Sequence, residues 1–188
     1  MISVMPPLIT AVVGALAGYW FALRRYGKEQ QMEFIRQQVT QLYSPMVGCI
    51  KRIRACGELR LELSKASDIA WHKICEENPK PFHNHEKHFE PFKKRIEDEN
   101  IRFREYIIPL YDEMLEIFTK YFWLAEDSTK EFYKPYCRYV EIWHRYLNDA
   151  IPPRVLEELK IEEEPLLYFY ENLEKHLIKL RNKLAQQG

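Results

Sequence analysis

Glycine is scarce, with 6 in 188 residues, and neither G-x-G-x-x-G nor G-x-x-x-x-G-K occurs. A phosphate cradle made of backbone amides is built from such loops, so nucleotide binding has no support. A surplus of one charge is missing as well. Lys plus Arg and Asp plus Glu are each 28, a formal net charge of zero, without the basic excess that a nucleic-acid binder uses. The 4 cysteines, Cys49, Cys56, Cys75 and Cys137, form no C-x-x-C pair, which argues against a redox couple or a zinc knuckle. On one helix Cys49 and Cys56 would lie about 10 Å apart along the axis, beyond the roughly 7 Å between Cα atoms that a disulfide allows. All four are expected as free thiols packed in a core. Strand-like alternation with turn chemistry is also lacking, and every long segment repeats at helical period. The fold class expected is therefore all-α.

What the chain does have is one long run without charge, Ile2 to Leu23, closed at once by Arg24, Arg25 and Lys28. A helix rises about 1.5 Å per residue and the hydrocarbon core is about 30 Å thick, so the run is just long enough to span a bilayer. Leu8, Ile9, Val12, Val13, Leu16, Phe21 and Leu23 favour insertion, Pro6 and Pro7 suit a first helical turn, and Tyr19, Trp20 and Tyr26 fit an interfacial belt. No Lys or Arg precedes the run and Arg24, Arg25, Lys28 and Arg36 follow it. The positive-inside rule then places the C-terminal part in the cytoplasm, as a single-pass protein of the inner membrane. A cleaved signal ending at Ala15-Leu16-Ala17 is the competing reading, against which stands the missing basic start. A buried core helix is a further alternative.

Within the run, Gly14 and Gly18 form G-x-x-x-G, which lets two helix backbones approach and offers a route to a homo-oligomer. Small residues also occur in spans without that role. The organisation expected is an anchor at 1–27, a helical stalk at 28–43 and an antiparallel helical bundle with long kinked helices at 44–188.

Ile35, Val39, Leu42, Met46, Cys49, Ile53, Cys56 and Leu63 keep one helical face, interrupted by Pro45, where a bend or restart is expected. Lys51, Arg52, Arg54 and Arg60 stud that helix, either as a patch for anionic lipid or as a solvated face balanced by Glu58 and Glu62. A break at Asn78-Pro79-Lys80-Pro81-Phe82 leads to His83, His85 and His88, with His72 and Cys75 just upstream. These three histidines are the candidate metal ligands, because imidazole is a common zinc ligand. The zincin pattern H-E-x-x-H fails, since Phe89 stands where its second histidine belongs. A solvated loop and helix start is the competing reading.

A long helical period follows from His88 to about Ala125, with Pro109 expected to kink or split it. Ser128-Thr129-Lys130-Glu131 has the form of a capping box. The helix after it carries two apolar stripes, and Phe132, Tyr136, Tyr139, Trp143 and Tyr146 make the aromatic one. That width suits either a central helix touching two neighbours or a protein-partner surface. Glu141 and His144 have the E-x-x-H spacing of di-iron bundles, but no second copy accompanies them. A short helix at 154–160 follows, then a last helix with Leu167, Tyr170, Leu173, Leu177, Leu180 and Leu184 as its core stripe.

The N-terminal run, Leu42-Tyr43-Ser44-Pro45, Trp123-Leu124-Ala125-Glu126-Asp127-Ser128-Thr129 and Val140-Glu141-Ile142-Trp143 together resemble a loose group of uncharacterised bacterial membrane-anchored helical proteins. The resemblance implies a bacterial inner membrane and brings no catalytic residue or cofactor with it. The function expected is a membrane-tethered, non-catalytic helical interaction, scaffold or sensing protein. It uses the bilayer through residues 2–23 as one partner, with no cofactor and no nucleic acid. The alternative is a metal sensor or metalloenzyme using His83, His85 and His88.

Overall fold

A computed structural model describes residues 5–78, 85–160 and 164–186, with side chains from residue 16 onward except at 17, 85 and 164. Every element among them is helical. In order they are α1 (Met5–Gln37), a π-helical turn (Gln38–Tyr43), α2 (Ser44–Glu77), α3 (His85–Arg102), a second π-turn (Phe103–Ile107) and α4 (Ile108–Lys120). A 3-10 turn (Phe122–Leu124), α5 (Asp127–Lys130), α6 (Tyr133–Leu147), α7 (Pro153–Glu158) and α8 (Glu164–Ala185) complete the chain. Among the described residues no helix is long and apolar enough to cross a membrane. Residues 2–4 of the uncharged run, and the side chains of 5–15, lie outside that description.

Neither Pro45 nor Pro109 stops the helical path. A proline has no N–H to give, and its ring collides with the carbonyl four residues back. Each lies at the start of a new α segment, directly after a π-turn. The amide of Ser44 reaches Val39 and that of Ile108 reaches Phe103, five residues back in both cases. The wider turn clears the ring and leaves proline in a first helical turn, where a missing donor costs little.

The first π-turn also sets the core. Its extra residue turns two adjacent pairs inward, Gln38 with Val39 and Leu42 with Tyr43, and all four are buried. Core packing thus begins at Ile35, inside the segment read as a stalk. Around it lie the first part of α2, α4, α6 and α8, with Met114, Phe118, Leu124 and Leu173 fully buried. The helices run antiparallel: Phe118 meets Tyr133 near one end of the α4–α6 pair, while Phe103 meets Trp143 near the other. On α2 and α8, Arg181 reaches Ser44 and Arg54 reaches Glu174, again in opposite order. Phe118 also stacks on Phe169 at 5.5 Å between centroids, and burying such a ring stabilises the fold by about 1.5–3 kcal/mol.

Two further expectations change. Ser128 and Thr129 cap no helix; α5 begins after Glu126 without a side-chain cap, and α6 starts anew after Phe132. In the last helix Leu167 is 52 % exposed and Phe169 takes the core position. A surface with Leu166, Phe169, Tyr170, Leu173 and Leu177 inside accommodates the wide aromatic face of α6. Beyond the core, the distal part of α2 pairs with α3 as a two-helix arm, held by Trp71 against Phe89 and Phe92.

Candidate functional site

The polar residues that the first π-turn forces inward must find partners, since an unpaired buried polar group costs about 1–3 kcal/mol. They find them in the segment 124–129 and on α8. Gln38 Nε2 donates to the Leu124 carbonyl at 2.8 Å. The Glu126 amide donates to the Tyr43 hydroxyl at 3.0 Å. Thr129 gives its one hydroxyl proton to Asn172 Oδ1 at 2.7 Å, so Tyr43 must be the donor in its 3.1 Å bond to Thr129 Oγ1. Asn172 Nδ2 in turn reaches Ser128 Oγ at 3.4 Å, and Ser128 Oγ lies 2.9 Å from His176 Nε2. The chain of bonds ties three elements distant in sequence to one point.

Electrostatics follow from the burial. Desolvation pushes the Tyr43 hydroxyl above the usual phenol range, opposed by its bonds to Thr129 and the Glu126 amide. Desolvation likewise lowers His176; Glu126 opposes it, while Lys179 and Lys175 add to it. The imidazole lies against the Tyr43 ring at 5.7 Å, and its Nδ1 is buried with no hydrogen-bond partner among the described residues. A serine nucleophile needs a base whose far nitrogen is oriented by a third group. Among the described residues His176 Nδ1 has none, and the ring's bond to Ser128 ties α5 to α8 as a latch.

The aromatic stripe is spent largely on the interior. Tyr136 is buried with its hydroxyl on the Tyr111 carbonyl at 3.0 Å, and burial drives that phenol far above its ordinary pKa. Tyr139 meets Tyr111, Trp143 meets Phe103, and Phe132 stacks on Phe169. Tyr146 lies against Trp143 at 5.9 Å. The stripe thus runs along the core side of α6, with Tyr136 buried and Phe132, Tyr139, Trp143 and Tyr146 half-buried. His144 Nε2 lies 2.7 Å from Asp112 and Glu141 bonds Arg145, so the E-x-x-H pair is divided between two separate contacts.

His83 lies outside the described residues, as does the side chain of His85, which opens α3; His88 is exposed in that first turn. Among the described residues no group of three or more His, Cys, Asp or Glu could hold a metal. Gly14 lies in α1 with surroundings outside the described side chains, and at Gly18 an added Cβ would meet nothing within 4 Å. The four thiols are free, but Cys75 is exposed, so the expected core packing holds for Cys49 and fails there. Burial, then the Glu113 carboxylate, pushes the Cys49 thiol up to about 11. Arg52 bonds the Tyr106 hydroxyl and approaches Glu113 at 3.8 Å, while Arg54 pairs with Glu174 at 2.6 Å. These arginines clamp α2 to α4 and α8, not to Glu58 and Glu62.

That Gln38, Thr129, Asn172 and His176 bond around one point is not visible in the spacing of these residues. One signal was available: Gln38 and Tyr43 interrupt an apolar helical face just before a proline, where a widened turn brings both inside. Leu42-Tyr43-Ser44-Pro45 and the segment Trp123–Thr129, remote in the chain, meet here. No protein-family model, no curated protein and no solved structure matches the chain.

Proposed function

We propose that the chain is a membrane-tethered, non-catalytic helical interaction protein, anchored by residues 2–23 in a bacterial inner membrane with its bundle in the cytoplasm. The observation that carries this reading is the apolar stretch of α1 ahead of the bundle. Tyr19 is 66 % exposed, Trp20 56 %, Phe21 63 % and Leu23 51 %, and at 3.6 residues per turn the exposed side chains of 19–23 point all round the helix. A helix resting on a soluble core hides its apolar residues along one stripe; one with apolar surface on every side needs a nonaqueous solvent. Arg24, stacked over Trp20 at 5.4 Å, and Arg25 stand where a cytoplasmic boundary would hold them. An added Cβ at Gly18 would meet nothing within 4 Å, which suits close approach of a second copy at that position.

Alkaline carbonate washing of bacterial membranes tests the reading. The full chain is expected to stay in the pellet, deletion of 2–23 to release a folded helical fragment, and a C-terminal reporter to be active only inside the cell. Extraction of the full chain by carbonate, or an exported reporter, would overturn it. Gly14→Ile with Gly18→Ile is expected to weaken self-association in mild detergent, and an unchanged oligomer removes packing through that face.

A further inference from the structure

Beside the core side of α6 lies a cavity of about 360 Å³, within the roughly 300–1,000 Å³ of ligand pockets. Its apolar wall comes from Phe132, Tyr136, Tyr139 and Ile142 on one side and Leu166 and Phe169 on the other. Tyr136 and Phe169, 5.1 Å apart between centroids, are almost fully buried, so the floor open to a ligand is made by the half-buried rings of Phe132 and Tyr139 above them. Three cations share the lining: Lys134 and Arg138, one helical turn apart on the row beside the apolar one, and Lys160 at the end of α7. Among the described residues none of the three pairs with an anion, whereas Arg52, Arg54, Arg102, Lys130 and Arg145 all do. Lys160 also holds a left-handed backbone, φ 43°, which glycine would occupy at lower cost.

We infer that this cavity binds a small carboxylate on an apolar, ring-containing body. The aromatic floor takes the body through ring-to-ring contact, and the three cations take the carboxylate, with Arg138 able to bond both of its oxygens. Nothing in this site rests on membrane attachment, because the lining comes from Phe132, α6, Leu159 and Lys160 just after α7, and the first turns of α8.

The probe is 2-naphthoate, titrated into the full chain in lipid nanodiscs and followed by fluorescence anisotropy, with 2-naphthalenemethanol as the neutral analogue. Saturable one-site binding is expected, at least tenfold weaker for the alcohol and at least tenfold weaker for naphthoate when Lys134, Arg138 and Lys160 are all changed to Gln. Ile142→Trp fills the cavity and is expected to abolish binding. Leu159→Trp narrows it from the α7 end, and serves if circular dichroism finds the first variant unfolded. Glu162, Glu163 and Glu164 follow Lys160 in the chain, so their replacement by Gln is expected to leave binding equal or tighter. Absence of saturable binding, equal affinity for the alcohol, an unaffected triple cation variant, or loss of binding in the glutamate variant would each overturn the inference.

Discussion

The two ends of α2 carry similar residues to opposite fates. Near its start Met46, Cys49 and Ile50 are 0–3 % exposed, while further on Leu59, Leu61 and Ile69 are 51–62 % exposed. The first end is covered by the π-turn, α4 and α8; the second is paired with α3. In the arm, order rests on the contact of Trp71 with Phe89 and Phe92 and on surface pairs such as Asp98 with Arg102. Such exposed pairs contribute a few tenths of a kcal/mol at most. A helix this long is not uniformly stable; tertiary cover, more than local propensity, decides which part opens first.

The sharpest way to break that contrast is to cut one ring from each region. Phe118→Ala removes a fully buried ring that touches Phe169, Tyr133 and Phe122, and is expected to cost about 3–5 kcal/mol in urea denaturation. Trp71→Ala in the arm is expected to shift the same transition by less than about 1 kcal/mol, with faster amide exchange confined to α3 and the distal part of α2. Equal losses would make head and arm one cooperative unit.

A smaller effect is expected at the node. Thr129→Val leaves the Tyr43 hydroxyl and the Asn172 carbonyl short of a partner and should cost about 1–3 kcal/mol, read by the same denaturation. The head should also respond to acid. Burial depresses His176 in the folded state, so below the unfolded value of about 6.5 the unfolded chain binds the proton more readily. This contribution is complete above about pH 6.5, falls as pH drops toward the depressed folded value, and is constant below it. His176→Gln should flatten that part of the stability profile, and an unchanged slope would show that the latch does not titrate. The mildest probe is thiol labelling without denaturant. Exposed Cys75 in the arm is expected to react first, while Cys49, buried and with its pKa near 11, reacts only as the head opens.

The helices were legible because their apolar residues repeat at helical period, and their ends are set by Pro153, Pro165 and the break after Glu77. The π-turns were not. Proline announces a disturbance but not its remedy, and a wider turn shifts every preceding residue on the helical wheel, which is how Gln38 and Tyr43 come to face inward. Ser128-Thr129-Lys130-Glu131 misled for a related reason: a capping box and a pair of hydroxyls used in tertiary bonds have the same sequence, and Asn172 and His176, more than 40 residues on, decide between them. Leu167 and Phe169 lie two residues apart on α8, and the packing of Phe118, Phe132 and Tyr136 selects the ring.

The central claim is that the head is held by its own packing and the exposed end of α1 by lipid. Hydrogen exchange on the full chain in nanodiscs reads both at once. The account predicts slow exchange over 16–23 and over the core parts of α4, α6 and α8, with the arm faster than either. Exchange over 16–23 as fast as in the arm would contradict it, because among the described residues that stretch has no protein cover to explain protection and would then have no lipid cover either.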